Sequence, residues 1–205
     1  MRSGMGIMGL AMLMLAGCSQ GEPGAETVPL VDEAVVLAKS DAVAEQFQGA
    51  LKAQLKAALE EGGPMQAVAV CHDAAPAIAM AESARSGAEV SRVAAKNRNP
   101  DGGLFDEIAP HYARLEKAAM QRGKPASVVW TSGTGDAAQV NVLRAIPMQE
   151  KPCMVCHGPS VDPALKARIE ALYPGDAATG FEPGDMRGAM LIRWPASAFA
   201  PQAGD

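Results

Sequence analysis

Hydrophobic positions in the first half of the chain recur at the spacing of an α-helix. From Val31 to Glu61 they fall every three or four residues with Lys and Glu between them, which predicts one long amphipathic helix. The sequence Gly62-Gly63-Pro64 is expected to end that helix. A second helix is predicted from Met65 to about Ser83, and its apolar composition indicates burial on most sides.

The middle of the chain has a weaker pattern. Residues 91–99 are basic and show no clear period, so no element is predicted there. The stretch Asn99-Pro100-Asp101-Gly102-Gly103 is typical of a turn. Residues 104–121 return to helical spacing, and Arg122-Gly123 is expected to end that helix.

After Pro125 the pattern changes to the alternation of β-strands. Apolar and polar residues alternate in 127–131 and 139–146, and the Gly-containing stretch between them predicts a β-hairpin. A short helix is expected over 162–172 and a last strand over 187–194. The chain is therefore predicted to have an α+β fold, with long N-terminal helices and a small antiparallel sheet.

The N-terminus has the pattern of an export signal. Arg2 precedes an apolar run that is too short to span a bilayer as a mature helix. That run ends in Leu15-Ala16-Gly17-Cys18, which resembles the bacterial lipobox, where the cysteine is acylated after cleavage. The alternative is an ordinary signal peptide with the cysteine just beyond it. We therefore predict a signal peptide over residues 1–17 and lipidation of Cys18; Ser19 favours the outer over the inner membrane.

The remaining chain divides by composition. Residues 18–29 are mostly Gly, Pro, Glu, Ser and Gln, which predicts a flexible tether between membrane and domain. Residues 30–195 are then one domain by length, followed by a disordered Ala/Pro tail over 196–205. The formal net charge is −5 and no Lys/Arg cluster is present, so we predict no nucleic-acid partner.

A Cys-x-x-Cys-His motif lies at Cys153, Cys156 and His157. This is the attachment pattern of a c-type haem, because two thiols at this spacing form thioethers with one porphyrin and the adjacent histidine ligates the iron. A zinc site and a redox-active or structural cysteine pair are the alternatives. Export to an oxidising compartment with attachment machinery favours one covalent haem c.

One of the four cysteines remains after Cys18 and the motif are assigned. This is Cys71, in the apolar second helix, where simple packing is one interpretation. The candidates for a second axial ligand are Cys71, His72, His111 and the methionines, of which Met148 flanks the motif. Adjacent helical residues point about 100° apart, so Cys71 and His72 cannot both face the iron. The residues alone leave this choice open.

Five stretches carry a family resemblance. They are VCHDAAPAIA (70–79), SRVAAKNRNP (91–100), KPCMVCHG (151–158), YPGDAATGF (173–181) and GDMRGA (184–189). In this order they resemble the bacterial c-type haem domain family with a PAS-like fold, found alone in exported proteins and as the sensory part of signalling receptors. The strand before the motif, residues 142–146, matches only loosely.

The resemblance implies a PAS-like fold with one covalent haem c. It implies His157 as the proximal ligand and Cys71 as the distal ligand of the iron. Arg92 and Arg98 match the family's basic block, and their guanidinium groups suit an ionic contact with haem propionates. The alternative for these two arginines is an ordinary solvent-exposed position.

Two axial ligands leave no open iron position for a substrate, and the sequence offers no acid–base set, so we do not expect an enzyme. The predicted function is a periplasmic, membrane-anchored mono-haem protein. It is expected to sense redox state or a diatomic gas, or to relay single electrons, to a separate redox or signalling partner. The alternatives are a low-turnover haem peroxidase and a non-haem interaction lipoprotein with zinc or a disulfide at the motif.

Overall fold

The computed structural model describes residues 31–200. The predicted signal peptide, the lipidation site Cys18 and the whole predicted tether lie outside the described residues. Among residues 31–200, no helix combines the length and apolar character needed to cross a bilayer.

Eleven helices and strands and a π-helical turn position the site. In chain order they are α1 (Glu33–Ala69), the π-turn (Val70–Ala74), α2 (Ala75–Ser86), β1 (Glu89–Val93), α3 (Ala109–Glu116), β2 (Met120–Gln121), β3 (Lys124–Pro125), β4 (Ser127–Ser132), β5 (Gln139–Pro147), α4 (Met154–His157), α5 (Pro163–Leu172) and β6 (Met186–Pro195).

The N-terminal helices form one long kinked rod. Asp32 begins α1 by accepting a hydrogen bond from the N–H of Ala34 at 2.9 Å. The predicted helix end is observed as a kink, because Gly63 has a φ of 67° and Pro64 follows it. The rod then continues through the π-turn into α2, which ends at Gly87 with a φ of 79°. Cys71 therefore lies inside a continuous helical segment.

The sheet is antiparallel, with the strand order β1–β6–β5–β4. The predicted β4–β5 hairpin and the last strand are confirmed, each strand being slightly longer than expected. Alternation along β5 divides the sheet into two faces. Val140 and Val142 pack in the core with α1 and α2, whereas Leu143 and Ala145 pack in the core with α3.

The small antiparallel sheet with long N-terminal helices confirms the predicted α+β class. That this arrangement is PAS-like stays a prediction.

Strand β1 was not predicted from the sequence. It lies at the edge of the sheet and pairs only with β6, from Glu89–Arg193 to Val93–Ala189. Only Val90 and Val93 of its five residues are buried, so its sequence lacks a full apolar alternation. Arg92 lies on the exposed side of this strand and faces an open cavity.

The prediction of one helix over residues 104–121 is wrong in extent. Only α3 is helical, and Pro110 fixes its start because proline fits the first turn of a helix alone. After α3 the chain reverses in the small β2–β3 hairpin. Its turn contains Arg122 and Gly123, both with positive φ (49° and 77°).

The prediction of a disordered tail from residue 196 is wrong for its first residues. Ala196–Phe199 forms a 3₁₀ turn after β6. The N–H of Ala196 donates to the carbonyl of Ala138 at 2.9 Å, and Phe199 packs edge-on against Trp194 with centroids 5.6 Å apart. The aromatic contact holds this segment on the sheet, and residues 201–205 lie outside the described part of the chain.

Candidate functional site

A cavity of about 520 Å³ opens between the second half of α1, the π-turn, β1 and the loop that carries α4. Its volume lies within the ~300–1,000 Å³ typical of small-molecule and cofactor sites. All six residues predicted to contact a cofactor line this cavity: Cys71, Arg92, Arg98, Cys153, Cys156 and His157. Residues up to 86 positions apart in sequence are thus brought to one cavity by the fold.

One wall of the cavity is an apolar stripe on α1. Leu51, Leu55 and Leu59 are spaced four residues apart, so they lie on one helix face. All three are half-buried and turned toward the cavity. Such a stripe suits a flat apolar ligand and offers it no hydrogen-bonding group.

His157 ends the single helical turn α4. Its Nδ1 lies 2.7 Å from the carbonyl oxygen of Ala178. Because a carbonyl can only accept, Nδ1 carries the proton and donates it, which leaves the lone pair on Nε2. Burial, followed by the charges of Arg187 and Arg98, lowers the pKa of His157 well below its usual value. A neutral imidazole fixed through Nδ1 is the form in which histidine binds a metal.

Cys71 and its neighbour His72 point in different directions, as their adjacency requires. Cys71 is half-buried and lines the cavity. The side chain of His72 is 43% exposed, and its Nδ1 lies 2.6 Å from the carboxylate of Asp73. Its ring makes an edge contact with Tyr173 at 5.2 Å. The structure thus turns the thiol, and not the imidazole, toward the cavity.

Cys71 lies in a π-helical turn, a rare local geometry that recurs at functional sites. A π-turn inserts one extra residue into an α-helix and so shifts which side chains face a given side. The sequence carries no obvious mark of this turn.

The motif cysteines lie on the same wall as His157. Cys153 and Cys156 are half-buried, and burial raises the pKa of the Cys156 thiol, with Arg98 opposing the rise. The three described cysteines are unpaired thiols. Their positions three residues apart on one turn keep both side chains near the cavity.

Arg98 ties the motif to the following loop. Its Nε and Nη2 donate to the two carboxylate oxygens of Asp176 at 3.0 and 3.1 Å, and Nη2 also donates to the Cys156 carbonyl at 2.7 Å. The two ion-pair side chains are 5% and 4% exposed. Asp176 in turn accepts from the N–H of Ala178 at 3.0 Å. Most donors of Arg98 are therefore used within the protein.

Arg92 is in a different environment. Its guanidinium lies over the ring of Phe47, 5.5 Å from the centroid, and faces the cavity. Protein atoms surround the guanidinium, and this burial lowers the pKa of Arg92. The side chain is still partly exposed, because it borders the open cavity. Within residues 31–200 it forms no salt bridge, so its charge is directed at the cavity.

Arg187 is a functional candidate that the sequence reasoning missed. It lies near the start of β6, lines the cavity, and its Nε is 3.2 Å from Nδ1 of His157. Burial, then repulsion by Arg98 and Arg92, lowers its pKa to about 10, so it is charged at neutral pH. Three arginines and one buried carboxylate, Asp176, leave this region with a positive balance that favours an anionic ligand.

The chain matches the Tll0287-like family, described as Tll0287, over residues 26–195. It belongs to the Tll0287-like family. The crystal structure of the cyanobacterial heme-protein Tll0287 is similar, with a TM-score of 0.59 and 25% sequence identity over 84% of this chain and 100% of that chain. A comparison with curated proteins finds no match.

The family match and the similarity to a heme-protein confirm the coarser part of the predicted resemblance, which is the relationship to a heme-protein family. The sensory role and the lipid anchor stay predictions.

The other two predicted candidates for the second iron ligand, His111 and Met148, lie in different places. His111 stacks on Trp130 with centroids 3.9 Å apart and does not line the cavity. Met148 does line it, but it is 4% exposed and packs with Ala178 and Phe181. The side chain of Met148 is therefore engaged in packing. Cys71 is left as the ligand candidate that lines the cavity with a partly exposed side chain.

Proposed function

We propose that this chain binds one haem c, held covalently by Cys153 and Cys156, with His157 and Cys71 as the axial ligands of its iron. The observation that carries the proposal is the convergence of these four residues on one cavity. The relationship to a heme-protein supports it independently. A bound haem supplies one-electron redox chemistry and affinity for diatomic gases.

The residues of the cavity fit such a group. His157 offers Nε2 as donor because Nδ1 is engaged with Ala178. The leucine stripe of α1 suits the apolar faces of a porphyrin, and the positive balance suits its two carboxylates. Arg92 is the better propionate partner, because most donors of Arg98 are already used by Asp176 and by backbone carbonyls.

The role best supported is sensing of redox state or of a diatomic gas. The π-turn that carries Cys71 is continuous with α1 and α2, so a change at the thiol is coupled mechanically to both helices. The output would pass to a separate redox or signalling protein.

A second role, single-electron relay, is favoured by the exposure of the motif. Val155, between the two motif cysteines, is 37% exposed, and both cysteines are only half-buried. The edge of the site therefore reaches the surface, where a redox partner has access.

We further propose that the protein is not an enzyme, since both axial positions are assigned to side chains; low-turnover peroxidase activity is the alternative. The zinc form of the non-haem alternative receives little support, because no group of three His, Cys, Asp or Glu side chains within residues 31–200 is arranged to hold a metal ion. We place the protein in the periplasm, attached through Cys18 to the outer membrane, with no nucleic-acid partner.

The covalent attachment is tested by the intact mass of protein exported from cells that carry c-type haem attachment machinery. The wild type is expected to be heavier than the processed polypeptide by one haem. The double substitution Cys153→Ser/Cys156→Ser should remove that increment. An unmodified wild-type polypeptide would contradict the proposal.

The distal ligand is tested by absorption spectra of haem-loaded Cys71→Ala and of its neighbour control His72→Ala. Loss of a thiolate ligand should change the ferric spectrum of the first variant. The second should match the wild type, because His72 is turned away from the cavity. A ferric spectrum unchanged by Cys71→Ala would rule out thiolate ligation.

A further inference from the structure

Arg187 is placed where a metal-binding histidine ordinarily has an acceptor. Nδ1 of His157 already donates to the Ala178 carbonyl at 2.7 Å, and the Nε of Arg187 lies 3.2 Å from the same nitrogen. Since Nδ1 carries a proton, it cannot accept from Arg187. The close approach is therefore a cation held against the proton-bearing edge of the imidazole.

The position of Arg187 is fixed by other contacts. Its Nη1 lies 3.3 Å from the Lys96 carbonyl, and its guanidinium is 5.5 Å from the centroid of the Phe181 ring. The Phe181 ring also meets His157 edge-on, with centroids 6.5 Å apart. None of these partners is a carboxylate, so no counter-charge in direct contact neutralises the guanidinium.

A hydrogen-bond acceptor beside a ligating histidine raises its basicity and its donation to the metal. A cation at that edge has the opposite effect, and it also disfavours additional positive charge on the metal. The iron of a His/Cys-ligated haem would be held at low potential by the thiolate, so a cation here counteracts the thiolate.

We infer that Arg187 is a positioning residue that raises the reduction potential of the iron bound by His157, which rests on the haem site proposed above. It does so by holding a fixed positive charge against the imidazole. The charges of Arg92 and Arg98 also reach His157, but neither guanidinium is held against the imidazole, because one faces the cavity over Phe47 and the other pairs with Asp176.

The test is a reductive titration of the exported, haem-loaded full chain, followed by absorption. Arg187→Gln removes the charge, and Arg187→Met removes it while keeping the apolar contact with Phe181. In both, the ferric-to-ferrous ratio at a fixed potential should rise about tenfold. This is the low end of the roughly 10–100-fold changes in metal affinity or activity that follow when a group contacting a metal-binding histidine is replaced. For a one-electron couple this equals a potential lower by about 59 mV.

Arg187→Lys keeps the charge and should recover most of the shift. Arg193→Gln is the matched control on the same strand, because Arg193 pairs with Glu89 and Glu107, each at 3.7 Å, and does not line the cavity. Its ratio should change less than twofold.

Haem-loaded Gln and Met variants with the wild-type potential, or a higher one, would overturn the inference. Loss of haem loading in both variants would assign Arg187 to folding of the site and overturn it as well. A wild type without haem c is a different outcome, because it contradicts the proposed haem site itself.

Discussion

Asp176 balances the charge of buried Arg98, and removing it is expected to destabilise the protein strongly. It accepts from Arg98 at 3.0 and 3.1 Å and from the N–H of Ala178 at 3.0 Å. The Asp176 and Arg98 side chains are only 4% and 5% exposed. Asp176→Ala leaves a buried guanidinium without its counter-charge, which costs about 3–5 kcal/mol. For a chain of this size the corresponding fall in Tm is about 6–20 °C.

The assay is urea unfolding of the haem-free full chain, followed by circular dichroism, so that cofactor binding does not enter the comparison. Glu60→Ala is the control, because Glu60 pairs with Lys56 at 3.8 Å while the two side chains are 69% and 78% exposed. An exposed pair of this kind contributes about 0–1 kcal/mol. A loss for Asp176→Ala as small as that of Glu60→Ala would refute the reasoning.

Three other substitutions test the packing of the core and of the cavity. Gly188→Ala should cost about 1–3 kcal/mol in urea unfolding, because its new Cβ would meet the Val93 carbonyl oxygen at 2.8 Å; wild-type stability would contradict this close approach. Ser40→Ala should cost about 1–3 kcal/mol by leaving the buried Trp194 Nε1 without its 2.9 Å partner; a neutral effect would contradict that bond. Leu55→Gln should leave the haem-free protein within about 0.5 kcal/mol of wild type but destabilise the loaded protein by about 1–3 kcal/mol, since Leu55 faces the cavity; equal losses in both forms would contradict its contact with the cofactor.

The chemistry of the site could be predicted where the residues that carry it are close together in the sequence. The spacing of Cys153, Cys156 and His157 carries its own chemical meaning, and these residues lie together on one helical turn. The odd cysteine, Cys71, was identified by counting. Helix geometry showed only that Cys71 and His72 cannot both face the iron, and the family resemblance then favoured Cys71. The structure turns Cys71, and not His72, toward the cavity, which supports Cys71 as the proposed ligand.

The charges around the motif depend on tertiary structure and were only partly found. Arg98 was singled out, but its partner Asp176 is 78 residues away in sequence, and no local pattern joins them. Arg187 lies in a stretch quoted for the family resemblance, yet its contact with His157 arises only when β6 meets the motif loop. A charged residue near the start of a largely apolar strand was the available signal.

The fold was predictable where an element packs on both faces, because its apolar residues then follow a regular pattern in the sequence. The β4–β5 hairpin and β6 pack on both sides, so their apolar content is high and they were found. β1 was missed because it is an edge strand whose polar positions face the cavity and solvent. The helix expected over 104–121 was too long, because apolar spacing there did not register the start set by Pro110 or the short strand β2 that precedes the predicted turn at Gly123.

The central claim is tested most directly by a pyridine haemochrome spectrum of the exported protein, combined with a measurement of protein concentration. The account predicts the spectrum of a c-type haem with one haem per chain. That spectrum should be lost when Cys153 and Cys156 are both replaced by Ser, although His157 is still present. A folded, exported protein without that spectrum, from cells that attach haem to other proteins, would contradict the account.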